Sequence, residues 1–280
     1  MSADERIGTA ERERLASDLA LRGGRLALEY FHRAHVSAKP DGSLVTDADL
    51  AIQERLAAEI QRAFPDDAII GEEAGLSTGP RHAIYRWVLD PVDGTNNFAR
   101  GLPGFSVSIG VLRNGMPFAG PFNDPITRWL FAACAGRGAW LNDRPLRTSP
   151  APLSAGSLIA VRTPFEDGLP PFVEDWLRRH RLRRFGSTAL QLCYAAMGGL
   201  DLVYDHRASL WDIAGAAPVL LEAGGVLTLA DGTPMFPVGA TRRESAPVAL
   251  LAGNPISHAQ GLVDATAAGD DPLGLRRSRP

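Results

Sequence analysis

Two cysteines, one lysine and no long apolar run set the first limits on this 280-residue chain. Cys134 and Cys193 are isolated from each other, which excludes a disulfide framework and a cysteine-based zinc site. Lys39 is the only lysine; every other basic side chain is arginine or histidine. The formal net charge is −3 and no basic block is present, so the chain lacks the electrostatic footprint of a nucleic-acid binder, and no nucleic-acid partner is expected. No uninterrupted apolar run reaches bilayer length, so no membrane association is expected. The opening MSADERIGTAERER has no apolar signal core, and a cytoplasmic location is the expectation. P-loop, dinucleotide-binding and zinc-protease motifs are missing, as are internal repeats.

What is present is a globular composition, 45% hydrophobic and 22% charged. A chain of this length buries roughly three quarters of its unfolded surface. Residues 9–36 space Leu15, Leu19, Leu26 and Tyr30 among charges, which predicts an amphipathic helix, with Gly23 and Gly24 permitting close packing. Thr46 and Asp49 then stand at capping-box spacing before a second helix faced by Ile52, Leu56 and Ile60. Asp49 is thereby open to two roles, cap and catalyst. Ala68–Ile70 is a short strand ended by Gly71 and followed by Glu72 and Glu73, and 75–81 reads as a surface loop. FSVSIGVLR, PFAGPFND and RWLFAACAG follow with short connections, which argues an antiparallel sheet, with Pro121 marking an edge or bulge. From about residue 151 strands alternate with helices, including STALQLCYAAMGG capped by Ser187 and WDIAGAAPVLLEAGG kinked at Pro218. The expected organisation is an N-terminal α+β half over 9–150, an α/β half over 151–262 and a disordered tail over 263–280.

The chain is organised around WVLDPVDGTNNF, residues 87–98. Its apolar first half reads as a buried strand, and Pro91, with no N–H to give a ladder, is expected to stop it at Asp90. Asp90 and Asp93 lie three apart on a turn, Gly94 permits close backbone approach, and 95–98 opens a short helix. Carboxylates beside free helical N–H groups make a place where a metal ion and a phosphate can meet.

Asp49, Glu72, the Asp90–Asp93 pair and Asp212 all fall at strand ends or helix starts. On Gly71-Glu72-Glu73, WVLDPVDGTNNF and WDIAGAAPVLLEAGG, in that order, the chain resembles the inositol monophosphatase family over about residues 10–258. The resemblance implies an α+β layered αβαβα sandwich, with an antiparallel N-terminal sheet and a mixed, partly parallel C-terminal one. It also implies a lithium-sensitive, Mg²⁺-dependent phosphatase, a homodimer, acting on a small-molecule phosphate ester such as inositol 1-phosphate by in-line attack of water. Carried over, Glu72, Asp90 and the Val92 carbonyl hold one Mg²⁺, Asp90, Asp93 and Asp212 a second, and Glu72 a third, weaker one. Thr95 assisted by Asp49 orients the water. Such chemistry must remove on the order of 20 kcal/mol or more of barrier.

The same resemblance implies substrate contacts from Gly94, Thr95, Thr188, Asp205 and Asp212, with Lys39 anchoring the metal-site loop. Asp205, seven residues before Asp212, is expected at the pocket mouth, favouring donors and disfavouring a second phosphate. Two rival readings stand beside this one. Histidinol-phosphate phosphatase belongs to the same superfamily with nearly the same metal motif. A non-catalytic binding module in a ribosomal or transcriptional complex is the rival of another class.

Overall fold

The computed structural model describes residues 3–166, 168–239 and 246–267. Helices Ala3–Tyr30 and Asp47–Ala63 form the first layer. Ile52, Leu56 and Ile60 are buried, facing a core that includes Trp87 and Leu89. Gly23 and Gly24 do allow close approach: a Cβ on Gly23 would lie 3.0 Å from Val107, and one on Gly24 only 2.0 Å from Asn123 Oδ1. The first helix ends at Tyr30, short of residue 36, because His32 takes a positive φ and Val36–Ala38 turns into a hairpin with Leu44–Thr46.

The second layer is a nine-stranded sheet. Across it run Arg144–Pro145, Ala139–Leu141, Trp129–Ala133, Phe122–Asp124, Ser106–Arg113, Tyr85–Asp93, Ala68–Gly71 and Ser77–Thr78, with Met116–Ala119 pairing beside Ser106–Arg113. Pairing is antiparallel except that Ala68–Gly71 runs parallel to Tyr85–Asp93. Three expectations are corrected here. The central strand continues through Pro91 to Asp93, because a register shift between Asp90 and Asp93 takes the proline out of the regular ladder. The 75–81 loop contains the Ser77–Thr78 strand, paired to Ile69 and Ile70. PFAGPFND is two strands split at Gly120-Pro121, and Phe122–Asp124 is paired on both sides.

Helices Thr188–Ala196, Leu210–Ala214 and Ala217–Glu222 form the middle layer, between this sheet and a second one. The expected single helix kinked at Pro218 is therefore two, separated at Gly215–Ala216. Pro218 occupies the first turn of the second, where its missing N–H costs nothing. The second sheet runs Arg181–Arg183, Leu158–Val161, Leu202–Ala208, Val248–Gly253, Val226–Leu229, parallel across the first three and antiparallel after. Pro171–Arg179 and Pro255–Ala267 cover its outer face, where Phe172, Trp176, Tyr204 and Leu251 make a third core. The layering is thus αβαβα, an α+β fold. Residues 263–267, expected in the tail, belong to the last helix; the rest of that expected tail, 268–280, lies outside the described residues. No helix among the described residues is long and apolar enough to cross a membrane.

Candidate active site

Residues three apart on a regular strand point to opposite faces. Between Asp90, opposite Ser108, and Asp93, opposite Ser106, the central strand carries one residue more than its partner. That extra residue returns both carboxylates to one side. Gly94 then turns the chain at φ 92°, with its α-carbon so close to the Gly104 carbonyl that a Cβ would lie 2.6 Å from it. The short Thr95–Ala99 helix follows, and Thr95 Oγ1 donates to the Val92 carbonyl at 2.9 Å.

Glu72 enters from the next strand. Gly71 is paired with Leu89, and Glu72 N continues that ladder to Leu89 O at 3.1 Å, which seats Glu72 beside Asp90. Asp212 enters from the middle layer as the third residue of its helix, its Oδ2 accepting from Ser209 N at 2.9 Å in a capping box. That helix reaches the sheet because Gly110 has no side chain: a Cβ there would lie 2.5 Å from the Ala214 carbonyl carbon. Asp49 is fully buried, and its Oδ2 takes Thr46 N at 2.7 Å and Thr46 Oγ1 at 2.6 Å, so it is a cap. Its other oxygen is buried without a partner. No hydrogen bond joins Asp49 to Thr95.

Burial and mutual repulsion raise the aspartates Asp49, Asp90, Asp93 and Asp212 together. Burial, then the charge of Asp212, pushes Asp93 up to about 8 against the opposing hydrogen bond from Ser187. Asp212 is pushed up to about 7 by burial, although Arg162 pulls the other way. Burial followed by repulsion from Glu72, Asp93 and Asp212 lifts Asp90 well above the ordinary carboxylate range. Asp49 rises to about 7, again chiefly through burial. Two cations answer them. Lys39 Nζ lies 2.8 Å from Glu72 Oε1 and 2.6 Å from Glu73 Oε1; burial works against its charge, but the two glutamates outweigh it and hold the pKa above normal. Arg162 Nη1 stands 3.3 Å from both Asp205 Oδ2 and Asp212 Oδ2.

Among the described residues no three acidic, histidine or cysteine side chains already form a metal cage. Oxygens of the acids are turned elsewhere: Asp93 accepts from the Ser187 hydroxyl, and Asp212 from Ser209 and Arg162. The donor set nevertheless fits a hard divalent cation. It is all oxygen, with neither histidine nor cysteine, and Asp90 Oδ1 is buried with no hydrogen-bond partner.

A cavity of about 230 Å³ adjoins the acids, lined by Asp93, Asn96, Arg162, Arg184, Thr188 and Asp212 among others. A larger hollow of about 540 Å³ beside Ser77–Thr78 at the far sheet edge meets none of the acids. Asp205, expected at the mouth, is fully buried behind the cavity wall, accepting from the Thr188 hydroxyl, Arg207 N and Arg162. Arg162 and Arg184 were not singled out by the sequence reading. Strand register could have found the first: Val161 pairs with Tyr204, so Arg162 must neighbour Asp205.

The geometry can be set against known proteins. The model of the inositol monophosphatase family matches residues 9–268. Inositol monophosphatase 1 of Solanum lycopersicum is 37% identical over 226 residues, 76% of this chain and 82% of that protein. A Pseudomonas aeruginosa protein named Nus factor SuhB is 35% identical over 235 residues, 78% of this chain and 87% of its own. Among solved structures, the inositol monophosphatase of Anabaena superposes with a TM-score of 0.79 at 30% identity, covering 95% of this chain and 98% of that one. With this match along nearly its whole length, the chain belongs to the inositol monophosphatase family.

Proposed function

We propose that this chain is a Mg²⁺-dependent phosphoric monoester hydrolase acting on a small phosphate ester of the inositol 1-phosphate kind. The observation that carries the reading is the convergence of Glu72, Asp90, Asp93 and Asp212 from three separate elements, with Asp90 Oδ1 left buried and unpaired. Such an arrangement destabilises the fold unless a cation answers it. Glu72, Asp90 and the Val92 carbonyl are the ligands for one ion, and Asp90, Asp93 and Asp212 for a second. Glu72 serves a third, weaker one. Bound there, Mg²⁺ would neutralise phosphate charge and acidify a water molecule.

The chain's own residues have the remaining tasks. N–H groups of Gly94 and Thr95 hold phosphate oxygens as charge shifts. Thr95 Oγ1 turns from the Val92 carbonyl to orient the attacking water, and the unpaired Asp49 Oδ1 accepts the proton passed on. Thr188 and Asp212 border the leaving-group side. Asp205 acts on that side through Thr188 and Arg162, which it holds. Lys39 ties its hairpin to Glu72 and Glu73. Lithium inhibition and a homodimeric state belong to the same reading.

The test is phosphate release from inositol 1-phosphate, histidinol phosphate and fructose 1,6-bisphosphate, with Mg²⁺ and with chelator. Mg²⁺-dependent release is expected from at least one ester; preference for histidinol phosphate would favour the rival phosphatase. A second reading, an interaction role without turnover, is favoured by the name Nus factor SuhB borne by the Pseudomonas relative. Silence toward every ester would move the case to it.

A further inference from the structure

Three arginines, Arg162, Arg184 and Arg207, line the cavity beside the acids. Two are matched by carboxylates there. Arg207 pairs with Glu166 at 2.9 Å, and Arg162 Nη1 serves Asp205 and Asp212. Arg184 is exposed on the cavity wall and has no ion pair or hydrogen bond among the described residues. Arg162 also keeps something in reserve. Its side chain is 40% exposed, and all three of its side-chain hydrogen bonds come from Nη1, to Asp205, Asp212 and the Arg207 carbonyl. Nε and Nη2 remain available as a planar fork. The acid expected to greet substrate hydroxyls, Asp205, is withdrawn from solvent and already satisfied by Thr188, Arg207 N and Arg162. Asn96 and Gln191 add neutral polar groups to the same wall. Arg184 therefore adds to this cavity wall a guanidinium that no carboxylate among the described residues pairs with.

We infer that Arg184 and the free edge of Arg162 form a second anion subsite in this cavity, and that among small phosphate monoesters the site prefers one whose alcohol carries another anionic group, a carboxylate or a second phosphate. The inference rests on the hydrolase reading above. Arg184 is the residue that reads the extra charge, and the free edge of Arg162 fixes its position. A carboxylate would accept from both, while a neutral polyol would leave Arg184 with water. Arg162 stays neutralised by Asp205 during this, so the buried acid works as a positioning residue for the fork.

Matched esters test it. Glycerol 2-phosphate and 2-phosphoglycerate differ in a hydroxymethyl against a carboxylate; fructose 1-phosphate and fructose 1,6-bisphosphate differ in a second phosphate. Binding is measured by calorimetry in Ca²⁺, which shares the preference for hard oxygen ligands, and hydrolysis in Mg²⁺. The anionic member of at least one pair should bind about tenfold more tightly, as a charge-assisted pair allows, and the pair that shows it names the anion. Arg184→Gln should bring that ratio close to one, and Arg184→Lys should restore part of it. Equal binding within both pairs, binding of none of the four, or a ratio untouched by Arg184→Gln would overturn the subsite. Tight, Arg184-dependent binding without any phosphate release would instead overturn the hydrolase reading and leave the subsite standing.

Discussion

Nη1 of Arg162 stands 3.3 Å from Oδ2 of Asp212, a guanidinium from the second sheet resting on an acid from the middle layer. Among the described residues it is the nearest countercharge that this acid has, and Asp90 and Asp93 have none as close. The consequences for stability, for the packing that places these acids and for turnover can each be measured.

The first concerns pH in metal-free protein. Asp49, Asp93 and Asp212 have folded-state values near 7, 8 and 7, above the ordinary 3.8. The folded state therefore holds protons that the unfolded chain releases. Their contribution to stability is fully present below about pH 4 and is lost as pH rises through 7 and 8. Within the range where the rest of the fold tolerates the change, Tm in chelator should fall from pH 5.5 to pH 8.5 by about 3 °C or more. Saturating Mg²⁺ should flatten that slope. A Tm that rose over this interval in chelator would mean that the acids are not buried together.

Packing supplies the second. Gly110→Ala puts a methyl 2.5 Å from the Ala214 backbone, on the helix that carries Asp212. The helix must move away, at a cost of about 1–3 kcal/mol. Because Asp212 moves with it, kcat/KM should fall along with Tm. Gly156→Ala is the control, since its nearest neighbour would be Ser154 Oγ at 3.7 Å. Loss of stability in Gly110→Ala with full activity would show that the placement of Asp212 tolerates the shift.

These two cases show how far sequence reaches. The helices and the antiparallel strands were legible because amphipathic helices and short-linked strands carry their own periods, as Ile52, Leu56 and Ile60 did, whereas the αβαβα layering came from the resemblance to the family. The acids were legible because DPVDG and WD are local patterns. The bulge that puts Asp90 and Asp93 on one face was not, since it depends on the partner strand's Ser106 and Ser108. Arg162 and the burial of Asp205 were hidden for a similar reason: they follow from the pairing of residues some forty positions apart. The break at Gly215 reflects how closely the middle layer approaches the sheet, where Ser108 leaves no room for a side chain.

Thr46 and Asp49 separate capping from catalysis. Thr46→Ala removes the cap hydroxyl and should cost about 1 kcal/mol, with kcat near wild type because Thr46 N still holds the Asp49 carboxylate. Asp49→Ala should lower kcat sharply as well as Tm. Were Asp49 only a cap, the two variants would match in both readouts.

The most direct measurement is phosphate release as a function of Mg²⁺ by wild type and by Asp90→Asn, on whichever ester the wild type hydrolyses best. Asp90 is shared by both assigned ion sites, and its amide variant keeps size while removing the charge. Wild type should be silent in chelator and saturate with Mg²⁺. Asp90→Asn should remain folded by its melting curve yet lose activity by about 10³-fold or more, roughly 4 kcal/mol of transition-state stabilisation. Release by wild type that is indifferent to chelator, or turnover by Asp90→Asn at the wild-type rate, would contradict the metal-centred hydrolase.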